Sequence, residues 1–185
     1  MLVLVLLCSL AAAAPVIEGI TDAEDTPGVR AIFDVDASAA TVVDLLWDVA
    51  RFKTVFPDIQ ELTVLARPDD HTVDVRFVVD AFVARPTYTL RRTLNASSGL
   101  ISWVNIAGDL KKIVGHWQVV ATDVNHCRVR YQTVVDVGIP GASAVYASMV
   151  MGKVEQVIER VRRAAVVAPA ALPATSPPAL TSGSP

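Results

Sequence analysis

Residues 44–59, DLLWDVARFKTVFPDI, join an amphipathic helix to a proline at the point where an alternating strand pattern begins. Apolar groups at Val42, Leu45, Leu46 and Val49 fall near the 3.6-residue period that paints one face of a helix. Phe52, Val55 and Phe56 carry that face through a break, and Pro57 ends it by disfavouring helical geometry at Phe56. Ser38 stands ahead of the pattern as an N-cap, which predicts a helix over 39–50. Such a segment suits either a helix capping a packed core or a lid over an apolar cavity. The neighbouring elements bear on that choice.

Upstream, residues 29–35 alternate as a first strand. Downstream, residues 62–66, 72–79, 83–94, 100–106, 112–121 and 128–137 each read as strands. Turn signals such as Pro68-Asp69-Asp70, Ser97-Ser98-Gly99 and Asp123-Val124-Asn125 separate them. Short connections between consecutive strands imply an antiparallel meander. After Gly138 and Pro140-Gly141, residues 142–165 run in helical texture, with Tyr146, Val150, Val154, Val157, Val161 and Ala164 at helical spacing. Gly152 interrupts that helix, either to let it approach a strand or as a mild weakness. The fold expected is α+β: a seven-stranded twisted antiparallel sheet wrapped around a long C-terminal helix, with short helices between the first two strands.

The ends differ from this middle. Residues 1–13 are apolar and close on small alanines, which reads as a signal peptide and hence an exported, periplasmic or extracellular location. It is an atypical one, because no Lys or Arg precedes the apolar run. Residues 14–27 read as a polar N-terminal segment, 28–165 as the folded domain, and 166–185 as a flexible Pro/Ala/Ser-rich tail. If Cys8 leaves with the signal peptide, Cys127 stands alone and no internal disulfide can form. Net charge is −3, and the one basic cluster, Arg160, Arg162 and Arg163, sits near a helix C-terminus where the dipole favours it. Nucleic acid is therefore not expected as a partner.

The order of elements, together with Ala37-Ser38-Ala39, Trp47-Asp48-Val49-Ala50-Arg51-Phe52, Phe56-Pro57-Asp58, Gly115-His116-Trp117 and the long last helix, resembles the START-like superfamily. These proteins are also called SRPBCC or helix-grip proteins, and the likeness points to their polyketide cyclase and coenzyme Q-binding branch. The resemblance spans residues 28–165. It implies a deep apolar cavity between sheet and helix that binds a lipid, quinone, sterol or polyketide-like molecule. Alternation places Val73, Val75, Phe77 and Val79 on one face, as it does Tyr88, Leu90 and Leu94, and Val129, Tyr131, Thr133 and Val135. Those faces either pack tightly or enclose a void. With the implied cavity, the candidate ligand-binding residues are Trp47, Phe52, Phe56, Phe77, Tyr88, Leu90, Trp103, Trp117, Tyr131, Thr133, Tyr146, Met149 and Val150. Trp47, Phe52 and Phe56 are the candidate lid. The expected partner is a hydrophobic small molecule; transient membrane contact and oligomeric state stay open.

Catalysis has thinner support. His71 and His126 belong to turns, and alternation sends His116 outward if Trp117 faces inward. No metal or cofactor spacing is present: HExxH, paired cysteines, a nucleophile elbow and a phosphate loop are all missing. Arg76, Arg85, Arg91 and Arg92 are the remaining polar candidates in the strands. Arg91 shares a face with Thr87, Thr89 and Thr93, the pattern of a solvated sheet surface. No catalytic residue is assigned. The leading expectation is a non-catalytic carrier, with a cyclase or aromatase, or an interaction module with a closed pocket, as alternatives.

Overall fold

The computed structural model describes residues 13–80, 85–139 and 141–167. Its elements are β1 (Val16–Thr21), β2 (Pro27–Val35), α1 (Ala39–Trp47), α2 (Val49–Val55), β3 (Ile59–Asp69), β4 (Thr72–Val79), β5 (Thr87–Asn95), β6 (Leu100–Gly108), β7 (Lys112–Ala121), β8 (Cys127–Asp136) and α3 (Ala142–Val167). One antiparallel sheet takes the order β1-β2-β8-β7-β6-β5-β4-β3. The segment α1–α2 carries the chain from β2 to the far edge at β3. Hairpin by hairpin, the meander then returns until β8 pairs with β2, with Phe33 opposite Val129. Most of residues 1–13, the start of the strand expected at 83–94 and most of the tail at 166–185 lie outside the described residues.

Among the described residues the sheet has eight strands where seven were expected. β1 is the addition, inside the segment read as polar. Its residues run from Val16 opposite Ile32 to Thr21 opposite Pro27, so main-chain hydrogen bonds hold it at the sheet edge. None of its side chains is fully buried, and Val16 is 58% exposed. The strand's half-buried side chains, Ile17 and Ile20, stand three apart rather than two, which leaves no period-two signal in its sequence.

The quoted stretch folds into two helices instead of one. Ser38 caps α1 by accepting from the Thr41 amide at 3.2 Å. Asp48 then leaves helical geometry at φ −65° and ψ 107°, and its carboxylate starts α2 by accepting from the Ala50 amide at 2.9 Å. Phe56 ends α2 in an extended conformation, as a residue before proline must. Val42, Leu45, Leu46 and Val55 are all 1% exposed or less, so this pair of helices is fixed to the core.

On α3 the buried stripe is Val154, Ile158, Val161 and Ala165, with Val157 and Ala164 half-buried beside it. Arg162 ties this part of α3 down by donating to the Asp34 carbonyl at 3.0 Å. Cys127 is buried and unbridged, and burial beside Asp34 pushes its thiol up to about 11. It acts as a small apolar group.

Candidate functional site

Alternation decides which side chains the sheet offers to its concave face. Phe77 of β4, Tyr88, Leu90 and Arg92 of β5, Trp103 of β6, Ile113 and Trp117 of β7, and Tyr131, Thr133 and Val135 of β8 all point there. Phe52 and Phe56 close one side from α2, and Met149, Val150, Val154 and Val157 close another from α3. The space left between them is a cavity of about 190 Å³. At its rim lie Pro57, Asp58, Asp80 and Lys153, with the Lys153 ammonium 2.7 Å from the Asp58 carboxylate.

Of the candidate ligand-binding residues, Phe52, Phe56, Phe77, Tyr88, Leu90, Trp103, Trp117, Tyr131, Thr133, Met149 and Val150 line this cavity together. Trp47 does not. The break at Asp48 puts Trp47 and Phe52 on different helices, and the Arg92 guanidinium lies over both rings, 5.3 Å and 4.6 Å from their centroids. The side chain of Tyr146 lies outside the described residues.

Aromatic rings form much of the wall. Trp117, 1% exposed, lies 4.3 Å from Tyr131, 6.2 Å from Trp103 and 6.3 Å from Phe56, centroid to centroid. Phe52 stands 4.5 Å from Phe56 and 5.9 Å from Phe77, which stacks on Tyr88 at 5.5 Å. These tilted and stacked arrangements are the ones ring quadrupoles favour. Gly115 makes room for them. It sits directly across from Trp103, and a Cβ there would lie 2.4 Å from both Trp103 Cζ2 and the Gln132 carbonyl oxygen. Gly115→Ala is therefore expected to cost about 2 kcal/mol by overpacking. Urea unfolding and near-ultraviolet circular dichroism check this; an unchanged midpoint with an unchanged aromatic signal would refute it.

Arg92 is the inward arginine. It shares the face of Tyr88, Leu90 and Leu94 at a spacing of two, a signal present in the sequence but masked by the threonine row around Arg91. Arg91 itself points outward and pairs with Asp74 through two 2.8 Å hydrogen bonds. Arg92 is 1% exposed, and it donates to the Leu46 carbonyl and, at 3.3 Å, to the Trp47 carbonyl. Those are last-turn carbonyls of α1 without intrahelical partners, at the negative end of the helix. Burial lowers the guanidinium to about 10, so it stays charged at neutral pH.

The other rim and wall residues had weaker signals. Ile113 and Val135 follow the alternation of Trp117 and Thr133. Asp58, Asp80 and Lys153 meet only through the fold. His116 faces away from the cavity, and its pKa is lowered by partial burial and by Arg30. His126 is held on the surface by Asp123 at 2.8 Å, which raises its pKa. Among the described residues no group of three or more His, Cys, Asp or Glu is placed to hold a metal ion.

A family model described as "Polyketide cyclase / dehydrase and lipid transport" matches residues 35–166. Human STARD10 superposes with a TM-score of 0.67 at 12% identity, covering 85% of this chain and 71% of its own. A START superfamily protein from Mycobacterium smegmatis gives 0.64 at 17% identity, covering 74% of this chain and 94% of its own. The Zhui aromatase/cyclase from a Streptomyces species gives 0.61 at 20% identity, covering 75% and 90%. At such identities the likeness is one of fold. No curated protein matches the chain by sequence.

Proposed function

The chain belongs to the polyketide cyclase / dehydrase and lipid transport family, and on that premise we propose that it binds and carries a ring-bearing apolar molecule without transforming it. The observation that carries this reading is the aromatic wall. Phe52, Phe56, Phe77, Tyr88, Trp103, Trp117 and Tyr131 all line one cavity. Ring faces reward a flat, conjugated or fused-ring ligand, a quinone, sterol or polyketide-like molecule, more than a flexible acyl chain. Drug-sized ligands occupy pockets of about 300–1,000 Å³. At about 190 Å³ the cavity accepts a compact ring system, and a larger one requires a wall to move.

The test is retention. Purified protein, incubated with quinone, sterol and polyphenol extracts and examined by native mass spectrometry, is expected to hold one ligand per chain and to show quenched tryptophan emission. Nothing retained across all extracts would sink the carrier reading. The small volume would then favour an interaction module with a closed pocket.

Arg92 supports a second reading. A desolvated guanidinium on the wall is suited to stabilising an enolate or alkoxide oxygen during ring closure of a poly-β-ketone chain. No histidine among the described residues lines the cavity to move the accompanying protons. Cyclised product formed by the protein and lost in Arg92→Met would transfer the assignment to this reading.

A further inference from the structure

The sheet is open, so β1 at one end and β3 at the other each present a row of main-chain N–H and C=O groups to no neighbouring strand. Such a row is a template for another chain, and natural sheets blunt it with bulges, proline, charge or a covering side chain. β3 carries these devices. Its pairing with β4 slips between Ile59 and Glu61, between Val64 and Ala66, and between Ala66 and Asp69, and Pro68 lies within it. Lys53 donates to the carbonyl of Gln60, the residue left over in the first slip.

β1 lacks them. Its residues, Val-Ile-Glu-Gly-Ile-Thr, pair with β2 in one unbroken register and include neither proline nor lysine. Its single charge, Glu18, is matched by Arg30 at 3.0 Å. Among the described residues no hydrogen bond reaches the outer main-chain groups of this strand. Gly19 is a second, independent sign. No atom lies within 4 Å of where its Cβ would stand, and its φ is not positive, so neither packing nor turn geometry calls for glycine. Glycine inside a strand weakens it, and marks places where another backbone comes close.

We propose that β1 pairs antiparallel with β1 of a second copy of the chain about a two-fold axis at Gly19, joining the two sheets edge to edge. When two identical antiparallel strands turn their free edges to each other, one residue must lie opposite its own copy. An axis at Glu18 sets like charges face to face, and an axis at Ile20 sets Glu18 opposite the acidic Asp22. An axis at Gly19 avoids both. It places Ile17 opposite Thr21 and Glu18 opposite Ile20, with Ile20 diagonally beside Val16 and Ile20 of the second copy. The blunted β3 edges then end the joined sheet, so assembly closes at two copies. The cavity rim at Pro57, Asp58 and Asp80 lies by β3 and β4, toward the opposite edge, and stays open. The association does not depend on what the cavity binds.

One strand pair is a small interface, so the dimer is expected to be weak, half-formed at about 10–100 µM chain. Sedimentation velocity of the full chain from about 5 to 500 µM spans that range. Gly19→Lys sets two lysines face to face and is expected to weaken dimerisation about fivefold, as does Gly19→Glu. Monomer thermal stability is expected to hold in both variants, because open space surrounds position 19. An equimolar mixture of the two variants is expected to recover the wild-type level, since only this register puts position 19 opposite itself. A chain that stays monomeric at the highest concentration overturns the proposal. So does dimerisation that Gly19→Lys leaves unaltered, which places the contact on another surface, and so does a mixture no better than either variant alone.

Discussion

Trp117→Ala is expected to lose about 3–5 kcal/mol of stability. Among the described residues Trp117 is the largest fully buried side chain. Its ring touches three others, and each such pair is worth roughly 0.5–1.5 kcal/mol beyond the area it buries. Truncation leaves a void that Phe56, Trp103 and Tyr131 cannot fill without abandoning their own contacts, and the surroundings of a buried aromatic relax only in part. Since each kcal/mol moves the melting temperature by roughly 2–4 °C in a chain of this length, the drop is easily measured by calorimetry. Trp117→Phe keeps most of the contact and is expected to lose less than half as much. Equal losses in the two variants would mean that the ring's outer half contributes the stability, contrary to this account.

Arg92→Ala is expected to lose about 3 kcal/mol. Removing the guanidinium strands the carbonyls of Leu46 and Trp47, at about 1–3 kcal/mol for each acceptor left without a partner in the interior. It also removes the cation that lies over the Trp47 and Phe52 rings. Release from the cost of burying a charge offsets part of this. Arg92→Met separates the contributions: it restores bulk but no donor, and is expected to recover less than half of the loss. Full recovery would show that packing, not capping of α1, is what Arg92 supplies.

The pH dependence of that difference carries its own information. Desolvation sets the guanidinium's folded value of about 10, below its ordinary value. A base depressed in this way is charged in both folded and unfolded states at any pH below about 10. Its contribution is then constant, and wild-type stability gains on the variant only above that value. The gap between wild type and Arg92→Ala is thus expected to be flat from roughly pH 5 to 9. A gap that shrank as pH fell through the carboxylate range would reveal an acidic partner for Arg92 and overturn the capping account.

Much of this was legible in the chain. Ser38 as a cap, Pro57 as a stop and the inward faces of β4, β5 and β8 follow from local rules, and the observed fold carries each of them. The cavity wall was legible to the extent that alternation reaches: Phe77, Tyr88 and Tyr131 fall where a period of two puts them. Trp47 does not line the cavity: it stands on α1 beside the buried stripe of Val42, Leu45 and Leu46, and the break at Asp48 separates it from Phe52. β1 was missed because its half-buried residues, Ile17 and Ile20, stand three apart and do not alternate.

The order of elements, the face of each strand and the break at proline were determined by the sequence alone, because side-chain direction along a helix or strand is fixed by backbone geometry within a few residues. What lies between the faces is a different kind of quantity. Arg92 finds the Leu46 carbonyl across 46 positions of chain, and Trp103 folds over Gly115 only because β6 and β7 pair in that register. Whether inward faces meet or leave a void, and which half of α3 is anchored, depends on such distant pairs and on the spacing of the elements bearing them. Only the tertiary structure decides those distances, since burial belongs to the packed chain and not to any segment of it.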